Sequence, residues 1–214
     1  MRTIKVTGIG RVKLRPDTTR LTLTLNGTAP AYDAALSASA GGTGALSAAL
    51  EPVGFVREDL KTQTFSITTE YESYEEDGGW KQRFAGYRYL HVLGLDFPAD
   101  NDRLGRILAA LADCPVDAEL RISYTVKDPD AARKELLDRA VADAGDRAYV
   151  LAEAAGVALR AIQSIDCSAG ERSFEVCTMD ALAKPMAAKA RFDMDIRPED
   201  IDAAQAVTVV WEIE

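Results

Sequence analysis

The chain has 214 residues, and its 34 acidic and 25 basic side chains give a formal net charge of −9. Nucleic acids and anionic membranes bind clustered lysine and arginine, so this charge disfavours both as partners. Hydrophobic residues make up 47% of the chain and charged residues 28%. This composition is typical of a globular protein, and the length allows one hydrophobic core or two small ones.

The start of the chain and its cysteines indicate a cytoplasmic protein. Arg2 and Lys5 interrupt the first apolar residues, so we expect no secretory signal, and no apolar stretch is long enough to predict a membrane span. Cys114, Cys167 and Cys177 lack metal-ligand spacing, which fits free thiols in a reducing compartment. A disulfide between Cys167 and Cys177 is the less favoured alternative.

Two strands are predicted near the N-terminus. Apolar residues alternate over 4–14 with Gly8 and Gly10 between them, which predicts one long strand or two strands bent at the glycines. Leucines alternate with threonines over 21–25, which predicts a half-buried strand that ends at the Asn-Gly pair 26–27.

A helix is predicted over 32–50, where apolar residues recur at spacings of three and four, and Pro52 and Gly54 mark its end. Three glycines at 41, 42 and 44 lie inside this helix, and each costs about 1 kcal/mol relative to alanine. We therefore expect either close helix packing or a local break at these glycines.

The middle of the chain completes a recognisable order of elements. Segments 60–74 and 84–97 predict the strands of a long hairpin, and a helix that begins after Asp100 and a strand over 120–126 follow. Residues 17–127 therefore read strand, helix, strand, strand, helix, strand, which is the order of a ferredoxin-like split β-α-β unit.

The clearest helix is predicted over 129–155, between the capping pair Asp128-Pro129 and Gly156. Alanines repeat every four residues along one face of this helix. Side chains this small predict that the face lies close to a sheet or to another helix.

The remaining strands, over 161–167 and 206–213, need the first strand and the long helix as partners. The sequence thus predicts an α+β fold in which residues 1–16 and 128–214 form a second small α+β domain, with the ferredoxin-like unit inserted in it. Residues 168–205 are predicted to be an irregular arm within that domain.

The arm is long for a compact domain, yet it is rich in apolar side chains. A disordered tail has fewer such residues. We expect the arm to pack on another subunit or to cover a groove; the alternative is an arm folded back on its own domain.

The motifs of several enzyme and cofactor classes are missing. Gly8-Ile-Gly10 lacks the third glycine and the helix of a dinucleotide site, and the glycines at 41–44 lack the Gly-Lys-Ser/Thr of a phosphate-binding loop. His91, the single histidine, shares a predicted strand face with Tyr89 and Leu93, which favours a structural histidine over a catalytic base, and the Gly-x-Ser-x-Gly elbow of a serine nucleophile is missing. One histidine and scattered cysteines cannot make a typical zinc site. The sequence therefore assigns no catalytic, cofactor-binding or metal residue.

The carboxylate pairs and the tyrosines of the predicted strands have simpler explanations than a catalytic or ligand-binding role. We expect the pairs Glu70/Glu72 and Asp193/Asp195 to be solvated surface, and the acidic segment 72–77 lacks the ligand spacing of a calcium loop. Four tyrosines can form an RNA-stacking platform, but the shortage of basic residues favours packing within the hairpin. They are Tyr71, Tyr74, Tyr87 and Tyr89.

Three stretches together resemble the SIMPL-domain family, formerly a domain of unknown function that is found widely in bacteria. They are Ile4-x-Val6-x-Gly8-x-Gly10 with Val12-x-Leu14-x-Pro16-Asp17, the Ala-rich helix up to Gly156, and Ile196-x-Pro198-Glu199 with Val207-Thr-Val209-Val-Trp211. The resemblance implies a two-part α+β fold, a tendency to form homo-oligomers, and no established catalytic residues. It also implies that the signature glycines serve a backbone bend near Pro16.

The family resemblance leaves the biological role open. Periplasmic relatives are linked to oxidative-stress defence, and the mammalian namesake binds a kinase. The predicted function is a non-enzymatic, homo-oligomer-forming interaction protein without a cofactor, whose terminal strands can extend a partner's sheet. The alternative is a small-molecule binding protein or an enzyme with a cleft between the two α+β parts.

Overall fold

The computed structural model describes residues 2–76, 78–167, 174–181 and 197–214. The chain divides into two compact units. Unit 1 comprises Met1–Asp17, Thr125–Val176 and Pro198–Glu214, and unit 2 comprises Thr18–Tyr124 and Cys177–Arg197. Helices combined with antiparallel strand pairs make the fold α+β, as predicted. The ferredoxin-like assignment stays a prediction.

The strands are β1 (Thr3–Leu14), β2 (Thr18–Ala29), β3 (Lys61–Glu76), β4 (Gly79–Pro98), β5 (Glu119–Thr125), β6 (Leu159–Asp166), β7 (Glu175–Ala181) and β8 (Ile201–Ile213). The helices are α1 (Tyr32–Leu50), α2 (Asn101–Ala112) and α3 (Pro129–Ala155), with short 3-10 turns at Glu51–Val53 and Arg57–Asp59. One sheet has the order β1-β8-β6 and the other the order β3-β4-β2-β5-β7.

The core of unit 2 lies between its sheet and the helices α1 and α2. Alternate leucines of β2 point into this core and meet buried side chains of β4 and α2, such as Leu93 and Ile107. Helix α1 is continuous through its glycines. A Cβ at Gly42 would lie 3.1 Å from Leu25 Cδ1, whereas Gly41 and Gly44 face open space. The glycines therefore do not break the helix, and only Gly42 serves close packing.

Strand β2 is longer than its sequence predicts, because it pairs with β4 as far as Ala29. Gly27 lies inside the strand and not in a turn. A Cβ there would come within 2.8 Å of Tyr89 Cε1, so the glycine makes room for the tyrosine ring on the neighbouring strand. The Asn-Gly pair thus reflects a packing requirement across strands.

Helix α3 lies against β1 in unit 1, and β1 is a single strand. A Cβ at Gly8 would overlap the carbonyl oxygen of Ala140, and one at Gly10 would overlap that of Leu136. The two glycines and the buried alanines of α3 therefore allow the backbones to approach closely. This contact corrects the expectation that the glycines serve a bend near Pro16.

The terminal strands are not both available to extend a sheet. Strand β8 lies in the middle of its sheet. On β1, the Ile9 backbone N–H donates to Asp143 Oδ2 at 2.7 Å, and Arg139 donates to the Arg11 carbonyl oxygen at 2.7 Å. Side chains from α3 thus occupy backbone groups at the edge of β1, a known protection against strand addition.

Part of the predicted arm forms strands. Strand β8 begins at Ile201, which pairs with Leu14 and so extends the predicted strand along the whole of β1. Strand β7 contributes to the five-stranded sheet. Phe174 is buried in unit 1, where its carbonyl oxygen accepts a 2.7 Å hydrogen bond from Thr125 Oγ1. The rest of the arm, including Asp193 and Asp195, lies outside the described residues.

Candidate interaction surfaces

His91 lies on β4 among uncharged hydroxyl groups. Ser39 Oγ is 2.9 Å from its Nδ1 and Thr62 Oγ1 is 2.9 Å from its Nε2, while the Phe65 ring meets the imidazole edge at 5.0 Å. Burial lowers the pKa of His91 from its ordinary value, so the neutral ring is favoured. Because Ser39 is buried, a substrate cannot reach its hydroxyl. Together these contacts fix the position of the ring.

The carboxylates of the hairpin form ion pairs across the two strands. Glu70 pairs with Arg88, Glu72 with Arg83 and Glu76 with Lys81. Residues that face each other in an antiparallel pair share one side of the sheet, so these charges form one face of the hairpin. Tyr74 belongs to the same face, with the Arg83 guanidinium 5.6 Å from its ring centre.

Metal-binding side chains do not cluster in the described part of the chain, and its cysteines lie apart from one another. It contains no group of three or more histidine, cysteine, aspartate or glutamate side chains placed to hold a metal ion. Cys114 and Cys167 are free thiols, as predicted, and the side chain of Cys177 lies outside the described residues.

The opposite face of the hairpin is aromatic. Tyr71 and Phe84 lie directly across from each other with ring centres 6.0 Å apart, and Phe84 contacts Tyr87 at 5.3 Å. Tyr87 in turn meets Tyr32 of α1 at 5.9 Å, and all three contacts are edge-to-face. Trp80 lies on this face four residues before Phe84 and is 77% exposed. We call these five residues the aromatic face.

The predicted tyrosines divide between three environments. Tyr71 and Tyr87 belong to the aromatic face, Tyr74 lies among the ion pairs, and Tyr89 packs against the core of unit 2. The sequence interpretation did not single out Trp80, Phe84 or Tyr32. The hairpin sequence is visibly rich in aromatic residues, but the face to which each belongs depends on the pairing of the strands.

A second apolar surface lies in unit 1. The buried alanines of α3 have two flanking rows at a spacing of four residues. The row with Arg139 and Asp143 contacts β1, so the other row, with Val141, Gly145 and Tyr149, lies on the side of β8 and β6. Over residues 137–149 this second row carries no charge, and Val141 and Tyr149 are exposed.

Strand β6 contributes two isoleucines beside this row. Ile162 pairs with Trp211 and Ile165 pairs with Val209, so both point to the side of the sheet on which α3 packs. They are nevertheless 50% and 54% exposed, because α3 contacts β1 and β8 far more than β6. We call Val141, Gly145, Tyr149, Ile162 and Ile165 the α3–β6 surface.

The model of one protein family matches the chain. It is the SIMPL model, described as a protein of unknown function (DUF541), and it matches residues 4–211. No curated protein matches the sequence. Among the described residues, no helix has the length and apolar character needed to cross a membrane. The match extends over nearly the whole of both units, and the chain therefore belongs to the SIMPL family.

Proposed function

We propose that this protein is a non-enzymatic homo-oligomer whose subunits associate through the α3–β6 surface. The observation that carries the proposal is the exposure of Ile162 and Ile165 on the side of the sheet that α3 covers elsewhere. Burial of apolar surface contributes about 25 cal/mol per Å². Contiguous exposed apolar residues are therefore typical of interaction sites.

A second copy is the partner that fits this surface. Most homo-oligomers are built on two-fold axes that bring the same patch of each subunit together. Two copies that each carry a net charge of −9 repel each other, and a contact without charged side chains adds no local repulsion to that. The α3–β6 surface is of this kind, because it contains no lysine, arginine, aspartate, glutamate or histidine.

Side-chain packing explains the association better than the extension of a sheet. The edge of β1 is occupied by side chains of α3. Strand β6 has register shifts between Leu159 and Ile162 and between Ile162 and Ser164. Such irregularities twist an edge strand away from a new partner.

The non-enzymatic part of the proposal is supported by the burial of Ser39, the hydroxyl partner of His91 Nδ1, which a substrate cannot reach. The cytoplasmic location that we propose is supported by the free thiols of Cys114 and Cys167, which persist in a reducing compartment. A stress-related role is proposed on the family resemblance alone.

The test is the solution mass, measured by light scattering on a sizing column. The wild type is expected at a multiple of 23.1 kDa, and the double variant Ile162→Lys/Ile165→Lys at 23.1 kDa, since two desolvated lysines oppose the contact. Val56→Lys, which replaces an exposed apolar residue of unit 2, is the matched control and should keep the wild-type mass. A monomeric wild type at all concentrations would contradict the proposal.

A further inference from the structure

We propose that the outer edge of β3, the side that faces away from β4, binds an extended segment of another protein in which basic and apolar residues alternate. The segment joins the five-stranded sheet as an added strand. Adding a strand to a sheet edge is a common way to recognise an extended peptide. The partner is a different chain, so this inference goes beyond the proposed self-association and does not depend on it.

The outer edge of β3 is open in the described part of the chain. Strand β3 comes first in the sheet order and pairs with β4 on one side only. None of its residues is buried. No side chain of the described residues hydrogen-bonds to the backbone of β3, whereas side chains of α3 occupy backbone groups of β1. The alternate N–H and C=O groups of β3 that point away from β4 are therefore available to a further strand.

The edge is also regular over most of its length. One register shift inserts Gln63 into β3, but the shift beside Tyr71 inserts Ala85 into β4 and leaves the alternation of β3 unbroken. Residues 64–76 thus form a regular edge about 40 Å long. Strand β6 differs, because both of its register shifts add residues to β6 itself.

The two sides of this regular edge differ in chemistry. Successive side chains of a strand point to opposite sides, so Phe65, Ile67 and Tyr71 share one side. Phe65 and Tyr71 are exposed. Three of the four glutamates in 64–76 lie on the other side, and this stretch contains no basic residue. The three are Glu70, Glu72 and Glu76.

An added strand meets both sides at once, because its own side chains alternate in the same way. Basic side chains at every second position would lie beside the glutamates, and opposite charges on neighbouring strands stabilise a strand pair. The glutamates already form ion pairs with Arg88, Arg83 and Lys81. Each carboxylate stays partly exposed and accepts more than one donor, so a second cation has access to it. The apolar side chains of the segment would cover Phe65 and Tyr71.

A second copy of this chain is a poorer partner for the edge. Its own β3 would bring four more glutamates and no basic residue over 64–76, and like charges on neighbouring strands destabilise the pair. The edge of its β1 is occupied by side chains of α3. A basic segment of another protein is instead attracted by the net charge of −9.

The first experiment is a titration of a fluorescein-labelled peptide of alternating lysine and valine, about ten residues long, with the full-length protein. Anisotropy should show saturable binding that weakens with added salt. A peptide of the same composition, with all lysines before all valines, should bind at least about tenfold more weakly, because it cannot present a basic and an apolar side together. Equal binding of the two peptides would overturn the inference.

A pair of variants tests the glutamates. Glu70→Gln/Glu72→Gln should weaken binding of the alternating peptide about tenfold or more. The matched control is Glu51→Gln/Glu153→Gln, which makes the same change of charge at two exposed positions outside β3 and should bind as the wild type does. Equal loss in both variants would show that net charge alone attracts the peptide and would exclude the edge of β3.

Amide hydrogen exchange tests the addition of a strand directly. The outward N–H groups of 64–76 should exchange more slowly once the alternating peptide is bound, while exchange in β1 should not change. Binding without slower exchange in 64–76 would overturn strand addition. Slower exchange there on raising the protein concentration alone would identify a second copy as the occupant and overturn the stated partner. Peptide binding should persist in Ile162→Lys/Ile165→Lys, which separates this site from the α3–β6 surface.

Discussion

Gly8 and Gly10 set the distance between β1 and α3. Each faces a backbone carbonyl oxygen of the helix that an added Cβ would overlap, and backbone atoms cannot move aside as the end of a side chain can. The close approach also brings Asp143 to the backbone N–H of Ile9. This hydrogen bond is the main cause that lowers the pKa of Asp143.

Alanine at Gly8 is therefore expected to destabilise unit 1 by about 3 kcal/mol, the upper part of the range for overpacked cores. The measurement is urea unfolding followed by the fluorescence of Trp211, which is 7% exposed in unit 1, with Trp80 replaced by phenylalanine. The control is Gly145→Ala, whose Cβ would meet nothing within 4 Å in its own chain. Both changes are compared in the Ile162→Lys/Ile165→Lys variant, in which the α3–β6 surface should not be covered by a second copy. This control should gain about 0.5 to 1 kcal/mol of helix stability, and equal effects of the two changes would contradict the explanation.

His91 predicts a dependence of stability on pH. Burial lowers its pKa in the folded state, so between the ordinary value of about 6.5 and the lower folded value the unfolded chain binds more protons. The free energy of unfolding should fall as the pH decreases through that window. Above the window His91 is neutral in both states and should contribute no further pH dependence. The free energy of unfolding at pH 7.5 minus that at pH 5.5 is expected to be smaller in His91→Gln than in the wild type. An unchanged difference would show that the ring titrates alike in both states.

The glycines of α1 separate helix propensity from packing. Gly41 and Gly44 face open space, so alanine at either position should stabilise unit 2 by about 0.5 to 1 kcal/mol. Alanine at Gly42 gains the same propensity but presses on Leu25 Cδ1 at 3.1 Å, so it should give little or no gain. Urea unfolding followed by circular dichroism measures the three variants, and an equal gain at Gly42 would contradict the packing role.

The helices were predictable because their signals are local. The Asp128 carboxylate accepts a hydrogen bond from the Ala131 backbone N–H, and Gly156 ends α3 with a φ of 66°, as the flanking residues indicate.

The aromatic face was not predictable, because it depends on a bulge. Phe84 and Tyr87 are three residues apart and would point to opposite faces of a regular strand. The register shift beside Tyr71 places them on one face, and sequence periodicity does not reveal such a shift.

At the scale of the whole molecule, each unit has its own hydrophobic core and its own exposed apolar surface, the α3–β6 surface in unit 1 and the aromatic face in unit 2. The buried cluster of leucines around β2 belongs to unit 2, and the clusters around α3 belong to unit 1. The sequence predicted an inserted unit from the order of its elements. It did not predict that β7 joins the five-stranded sheet, because pairing between distant segments leaves no local pattern.

We propose that residues 18–124, the larger of the two segments of unit 2, are an insertion that unit 1 does not need in order to fold. The Asp17 backbone N–H donates to the Thr125 carbonyl oxygen at 3.2 Å, and the Lys127 backbone N–H donates to Asp17 Oδ1 at 2.7 Å. The two ends of the insertion are thus already held side by side by contacts within unit 1. A two-residue turn spans such a gap between neighbouring antiparallel segments.

Replacing residues 18–124 by Asn-Gly is therefore expected to leave unit 1 folded. Trp211 should keep the blue-shifted emission of a buried indole, and unfolding by urea should remain cooperative. The reason is that Val6, Val207 and the alanines of α3, which surround Trp211, are all retained. The control is the same shortened chain with Gly8→Ala added. If the shortened chain keeps the native contact between β1 and α3, this change should lower the urea concentration at which it unfolds. Solvent-exposed emission from Trp211 in the shortened chain would show that the two units fold only together.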